Sequence, residues 1–283
     1  MSLALEGKTA LVTGSSRGIG RAIAERLAAN GAAVVINYAG SRQSAQEAVK
    51  EVVGKGGKAV AIQADVSKPA EVQLLFNEAE KTLGPLDIVV ANAGVYLSKP
   101  LIQSTEDDYD HVFHINTKGV FFTLQEAARR VRDGGRIIVI STGRTKLPFA
   151  NASLYLGSKG AVEQFVRSLA RELGPRTVTV NTLSPGFTDT DMLNNDQVRA
   201  YGASLSAFNR VGRPEDVADV PAFLASGPAR WLTGQNVQAG GGVVLSQPHV
   251  VAVERKTIAE RKHPDEIFHR SVAHWRKKHF SRD

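Results

Sequence analysis

Apolar residues in this chain fall in short unbroken runs, separated by longer stretches in which they recur every three or four positions. The runs at 8–13, 33–37, 58–64, 87–91, 135–140, 177–183 and 236–239 predict strands. Unbroken rather than alternating hydrophobicity is the pattern of a strand covered on both faces. Helical spacing predicts helices at about 18–29, 43–53, from Pro69 onward, 105–132, 153–173 and 214–225. Pro69 suits a first helical turn, where its missing N–H costs nothing. Residues 187–210 read as a loop. Strict alternation of strand and helix predicts a parallel sheet with right-handed crossovers. The expected fold is therefore α/β, a single Rossmann-type doubly wound sheet with helices on both faces. It is expected to occupy residues 1–245, with a basic, partly helical extension at 246–283.

Composition narrows the possibilities. The 283 residues are 42% hydrophobic and 22% charged, enough for one large domain with a sizeable core. There are no cysteines, which excludes disulfides, thiolate catalysis and cysteine-based metal sites. No metal is expected. No apolar run approaches the roughly 20 residues that span a bilayer. The opening MSLALEGKTA lacks the basic-then-apolar order of a secretory signal. These features set a cytoplasmic expectation, with no membrane partner.

The net charge of +7 is uneven, because residues 246–283 hold nine Lys/Arg against five Asp/Glu. The body is only mildly basic, and no nucleic-acid partner is expected. In the extension, Pro264 suits a helix start, and Phe268, Val272, Trp275 and His279 fall at helical spacing. A helix packed on an oligomer, a disordered tail and a docking element all remain open for this segment.

Two motifs carry chemistry. Thr13-Gly14-Ser15-Ser16-Arg17-Gly18-Ile19-Gly20 follows the first strand and opens the first helix. Glycines there allow a sharp turn and close approach of a pyrophosphate to the helix N-terminus. The spacing is G-x-x-x-G-x-G, and a Gly-rich turn alone is a weak signal. The second motif is Tyr155-Leu156-Gly157-Ser158-Lys159. Residues at i and i+4 share a helix face, so Lys159 is expected to lower the pKa of Tyr155 and ready it for proton transfer.

Together with Asp65-Val66, Asn92-Ala93-Gly94, Asn116 and Val180-Asn181-Thr182-Leu183-Ser184-Pro185-Gly186, these motifs make the chain resemble a short-chain dehydrogenase/reductase over about residues 5–245. The nearest groups are bacterial 3-oxoacyl-acyl-carrier-protein reductases and the trihydroxynaphthalene-reductase-like group. The resemblance implies hydride transfer between a nicotinamide dinucleotide and a carbonyl or alcohol substrate, in a homo-oligomer, tetramer or dimer. Gly14, Ser16, Arg17, Gly18, Ile19 and Gly20 would hold the pyrophosphate. Asp65 and Val66 would meet the adenine, although a turn cap also accounts for Asp65. Asn92, Ala93 and Gly94 would support the sheet and line the ribose. Pro185, Gly186, Thr188 and Thr190 would cover the nicotinamide.

Tyr155 would be the proton donor, with Lys159 on the ribose hydroxyls. Asn116 would hold a relay water, although a buried helix asparagine is the plainer account. His111 and His114 read as surface or packing residues. The family's catalytic hydroxyl stands 13 or 14 residues before the tyrosine, which here is Thr142 or Ser141. The Ser141-Thr142-Gly143 pattern resembles the trihydroxynaphthalene-reductase-like group and favours Ser141.

The end of the second strand carries Tyr38-Ala39-Gly40-Ser41-Arg42, where NAD-specific members place an acid. Arg17, Ser41 and Arg42 can instead approach a 2′-phosphate, which favours NADP(H), with NAD(H) possible. Phe187, Met192, Leu193, Tyr201, Leu205 and Phe208 would wall the substrate site. Arg129, Arg130 and Arg132 would serve if the substrate rides on an acyl-carrier protein. Two other readings stand beside carbonyl reduction: an NAD-linked alcohol or sugar dehydrogenase, and a nucleotide-sensing binding protein on the same fold.

Overall fold

The structure, a computed structural model, describes residues 4–147, 149–193 and 195–243. The expected extension at 246–283 and its Phe268–His279 stripe lie outside the described residues. The chain alternates strand and helix: β1 (Thr9–Val12), α1 (Gly18–Ala29), β2 (Ala33–Tyr38), α2 (Arg42–Gly54), β3 (Lys58–Gln63), α3 (Pro69–Leu83) and β4 (Ile88–Ala91). After β4 come α4 (Glu106–Phe113), α5 (Val120–Arg130), β5 (Arg136–Ile140), α6 (Ser153–Glu172), β6 (Thr179–Pro185), α7 (Asp196–Leu205), α8 (Pro214–Ala225) and β7 (Asn236–Ala239).

The seven strands form one parallel sheet in the order β3-β2-β1-β4-β5-β6-β7. Val12 of β1 lies opposite Ile36 of β2 on one side and Val90 of β4 on the other. One apolar core gathers α1, α2 and α8 on one face, including Ile23, Leu27, Ala48 and Val217. A second core gathers α3, α5 and α6 on the opposite face, including Phe76, Leu124 and Val166. The fully buried residues of β1 and β4 therefore contribute to both cores, which is why their runs do not alternate. The chain leaves β1 toward β2 and returns beyond it to β4. That reversal opens a crevice at the carboxyl ends of these two strands, where such sheets place their ligands.

Local chemistry sets the helix starts. Pro69 begins α3. Thr105 caps α4 by a reciprocal box, its hydroxyl accepting from the Asp108 N–H while the Asp108 carboxylate accepts from the Thr105 N–H. Two expectations are corrected. The single helix expected at 105–132 is α4 and α5 joined by a π-helical turn, His114–Gly119. The loop expected at 187–210 contains α7, capped by Asn195, whose side chain accepts from the Gln197 and Val198 amides. Periodicity does not reveal α7, since it buries only Gly202 and Leu205.

Candidate active site

The Gly-rich turn is built by side chains from neighbouring strands. Asn37 accepts from the Gly14 N–H at 3.1 Å and donates to the carbonyls of Ile62 and Ala64. Asn92 donates to the carbonyls of Thr13 and Gly14 at 2.9 and 3.0 Å. The Thr13 hydroxyl accepts from the amides of Asn92 and Ala93. Gly14 sits at φ +60, and a Cβ there would stand 2.8 Å from the Ala93 Cα, so only glycine fits.

With the turn fixed in this way, the first turn of α1 carries no side-chain cap and no acidic residue. The start of α2 is alike: Ser41 stands at the N-cap without a capping hydrogen bond, and the first turn holds no acid. Two uncapped helix N-termini at the crevice leave amide donors and partial positive charge for phosphate groups. The residues present therefore fit a dinucleotide.

The remaining expected cofactor residues take varied positions. Ser16 and Val66 are buried, while Ala39, Arg17 and Arg42 are exposed. Arg17 reaches Asp191 at 3.5 Å, across from the segment after β6. Thr190 lies over the turn, its methyl 3.5 Å from where a Cβ on Gly18 would stand. Thr188 is buried, and its hydroxyl donates to the Gly186 carbonyl. Gly186, just after Pro185 ends β6, packs on Gly240 so closely that a Cβ would stand 2.7 Å from the Gly240 Cα. Asp65 accepts from the amide and hydroxyl of Ser67, so the turn-cap role is present. Tyr38 departs from expectation: its ring is buried in the core with α1 and α2 rather than displayed at the strand end.

The second cluster surrounds Tyr155 on α6. Asn116, fully buried in the π-helical turn, accepts from the Val95 N–H at 2.8 Å and donates to the Val95 carbonyl and the Ser158 hydroxyl. The π turn is what carries the Asn116 amide to the end of β4, and such turns recur at functional sites. Lys159 donates to the Ile140 carbonyl at 2.9 Å. A Cβ on Gly94 would stand 3.2 Å from both the Asn116 Oδ1 and the Lys159 Nζ, so these two polar groups converge on one glycine.

Electrostatics here run against the expectation from spacing. Burial raises the pKa of Tyr155; a hydrogen bond from the Thr142 side chain and the charge of Arg144 oppose that rise. Lys159 is not among the groups acting on the phenol. Its own pKa is lowered to about 8 by burial. Sharing a helix face does not fix where two side chains point, and the Lys159 ammonium turns to β5.

Ser141 also departs from its expected role. Its hydroxyl donates to the buried carboxylate of Glu163 at 2.8 Å, and Thr145 donates to the same oxygen at 2.7 Å. The Thr142 hydroxyl accepts from the Arg144 N–H at 3.3 Å, capping the turn that follows, and its side chain is the one that acts on the Tyr155 phenol. Glu163 and Arg144 carry no motif; Glu163 does stand one turn beyond Lys159 on α6, at i+4.

Of the expected substrate wall, Phe187, Leu193 and Leu205 are buried in a small core of their own with Val243, while Met192, Tyr201 and Phe208 are exposed. The expected carrier-docking cations are already paired. Arg129 and Arg130 bind Glu126, Arg130 also binds Glu80, and Arg132 lies 3.6 Å from Asp87.

A parallel doubly wound sheet with a dinucleotide crevice, and at its edge a half-buried tyrosine beside a buried lysine and asparagine, defines a nicotinamide-dependent oxidoreductase class. A family model described as enoyl-(acyl carrier protein) reductase matches residues 14–244. Versicolorin reductase stcU of Emericella nidulans is 44% identical over 253 residues, covering 84% of this chain and 96% of that protein. The hydroxynaphthalene reductase-like protein Arp2 of Metarhizium brunneum is 43% identical, covering 85% and 96%. The crystal structure of angucycline C-6 ketoreductase LanV with bound NADP superposes with a TM-score of 0.83 at 41% identity, covering 87% of this chain and 98% of that one. The chain belongs to the short-chain dehydrogenase/reductase family, oxidoreductases that act on carbonyl and alcohol groups. Among the described residues, no helix is long and apolar enough to cross a membrane.

Proposed function

We propose that this protein reduces a ketone to a secondary alcohol with NADPH, and that Tyr155 gives the proton. The observation that carries the reading is the half-buried Tyr155, its phenol acted on by the Thr142 side chain, with Lys159 and Asn116 converging on Gly94. NADPH supplies the hydride when bound. Thr142 donates to the substrate oxygen and orients it toward the phenol. Tyr155 passes its proton to the oxygen as negative charge develops there. Burial keeps the phenol protonated near neutrality, which suits an acid in the direction of reduction. Lys159 and Asn116 hold the polar floor of the site, through which the spent phenolate recovers a proton. Ser141 acts through Glu163, holding the 141–145 segment against α6.

The preference for NADPH rests on α2. Its first turn has Arg42 exposed, making no ion pair among the described residues, the Ser41 side chain uncapped, and no carboxylate. A 2′-phosphate finds donors there and no repulsion. The bound NADP of LanV agrees. Exposed Phe121, packed edge-on against Phe165, marks an apolar helix face suited to a second copy and supports a homo-oligomer. The test is a titration with NADPH and NADH, followed by NADPH oxidation over a panel of β-ketoesters, ring ketones and aryl ketones. Tighter NADPH binding with ketone turnover is expected. Binding without turnover of any ketone would replace reduction with nucleotide sensing.

A further inference from the structure

Arg144 follows Thr142 by two residues, in a short 3-10 turn at the carboxyl end of β5. Its guanidinium carbon lies 4.4 Å from the ring centre of Phe187, 4.6 Å from that of Phe149 and 5.3 Å from that of Tyr96. Nη1 donates to the Tyr96 hydroxyl at 2.9 Å. The Tyr96 ring in turn meets Tyr155 edge-on, with centroids 4.9 Å apart. The cation is half-buried, and among the described residues no carboxylate pairs with it.

Other arginines near the crevice mouth are neutralised: Arg17 by Asp191 and Arg199 by Asp189. Aromatic faces stabilise a guanidinium but accept none of its in-plane N–H bonds. With Nη1 engaged, the Nε–Nη2 edge keeps the fork that matches a carboxylate side-on. A cation held by rings, unpaired and adjacent to the proton donor, is equipped to take charge from a ligand rather than from the protein.

We infer that Arg144 is a specificity-determining residue that binds a carboxylate of the substrate, so that the preferred ketones are carboxylate-bearing ones. The inference rests on carbonyl reduction at Tyr155. The aromatic rings around Arg144 hold the guanidinium in place and cover the organic body of the substrate, while the fork fixes which end enters first.

The test compares 4-acetylbenzoate with its methyl ester as substrates of the full chain with NADPH. The two share a ketone and a ring and differ in charge. The wild type is expected to favour the acid. Arg144→Gln is expected to lower the acid-to-ester ratio of kcat/KM by roughly ten- to a hundredfold, mainly through KM, as for loss of a charged hydrogen-bonded pair. Arg144→Lys should keep part of the preference. Lys146→Gln, which removes an exposed neighbouring charge, should leave the ratio at the wild-type value.

Calorimetric titration with 4-acetylbenzoate and its methyl ester in the presence of NADP+, where both partners are oxidised and no hydride can pass, reads the same site without turnover. If neither these ketones nor any of the panel above is reduced, the reductase reading fails, yet carboxylate-selective binding that Arg144→Gln removes still supports the Arg144 site. Equal losses for acid and ester, accompanied by a shifted pH profile, would show that Arg144 acts on Tyr155 instead. A wild type that neither prefers nor selectively binds the acid overturns the inference without any variant.

Discussion

The Ser141 hydroxyl donates to the Glu163 carboxylate at 2.8 Å, and this bond separates two adjacent hydroxyls that look interchangeable in the sequence. Glu163 is buried and receives a second hydroxyl from Thr145, so Ser141 is committed to structure; the Thr142 hydroxyl takes only the Arg144 amide, and its side chain is the one that acts on the phenol. Thr142→Ala is therefore expected to lower kcat about a hundredfold, as for loss of one donor to a developing oxyanion. Ser141→Ala should lower the thermal midpoint, with a cost of about 1–2 kcal/mol from a buried carboxylate left short of a donor. The pair of variants, assayed for kcat and melting, reverses this pattern if Ser141 is the catalytic hydroxyl.

Tyr155→Phe removes only the phenolic oxygen from a ring that packs on Tyr96. Turnover should fall by about a hundredfold or more, in line with loss of a general acid. NADPH affinity, measured by fluorescence titration, should stay within a few-fold. Wild-type kcat in this variant would remove Tyr155 from the chemistry.

Dinucleotide choice should sit at the start of α2. Arg42→Ala is expected to weaken NADPH by roughly tenfold or more, the scale of a charge-assisted contact. NADH, which lacks the phosphate, should bind nearly as before. Equal weakening of both would place the 2′-phosphate elsewhere.

Lys159 links the site to stability. Its pKa in the fold, about 8, lies below its ordinary value of 10.5 because the ammonium is buried. Between those values the unfolded chain holds more protons, so stability rises with pH across that window. Below about pH 8 the buried charge costs roughly 3 kcal/mol. Lys159→Met should thus melt above the wild type at pH 7 without dinucleotide, and the gap should close as pH approaches 10.5. Scanning calorimetry at several pH values checks this; a gap independent of pH would mean that Lys159 is neutral or well solvated in the fold.

The sheet order was legible because buried parallel strands leave unbroken apolar runs, and the helices between them leave a clear period. Asn116, Tyr155 and Lys159 stand out in the sequence because their motifs are dense, and the structure brings the Asn116 amide and the Lys159 ammonium to one glycine. What those residues touch was not legible. The i+4 spacing of Tyr155 and Lys159 predicts a shared face, yet the ammonium bonds the Ile140 carbonyl and the phenol answers to Thr142 and Arg144. Arg144 had no signal at all, since Tyr96 and Phe187 reach it from segments far apart in the chain. Tyr38 stands at the strand end where the cofactor is expected, but its ring serves the core.

The π-helical turn at His114–Gly119 sets a length requirement that no side-chain inventory records. It holds one residue more than the α-helical spacing on either side would use. Deleting any single residue there would let α4 and α5 fuse into one regular helix. The wide turn and an ordinary one sweep nearly the same angle, so the outer faces of α4 and α5 would keep their places. What would go is the bulge that carries the Asn116 amide to Val95 and Ser158. A chain shortened there should still fold and yet lose its proton relay.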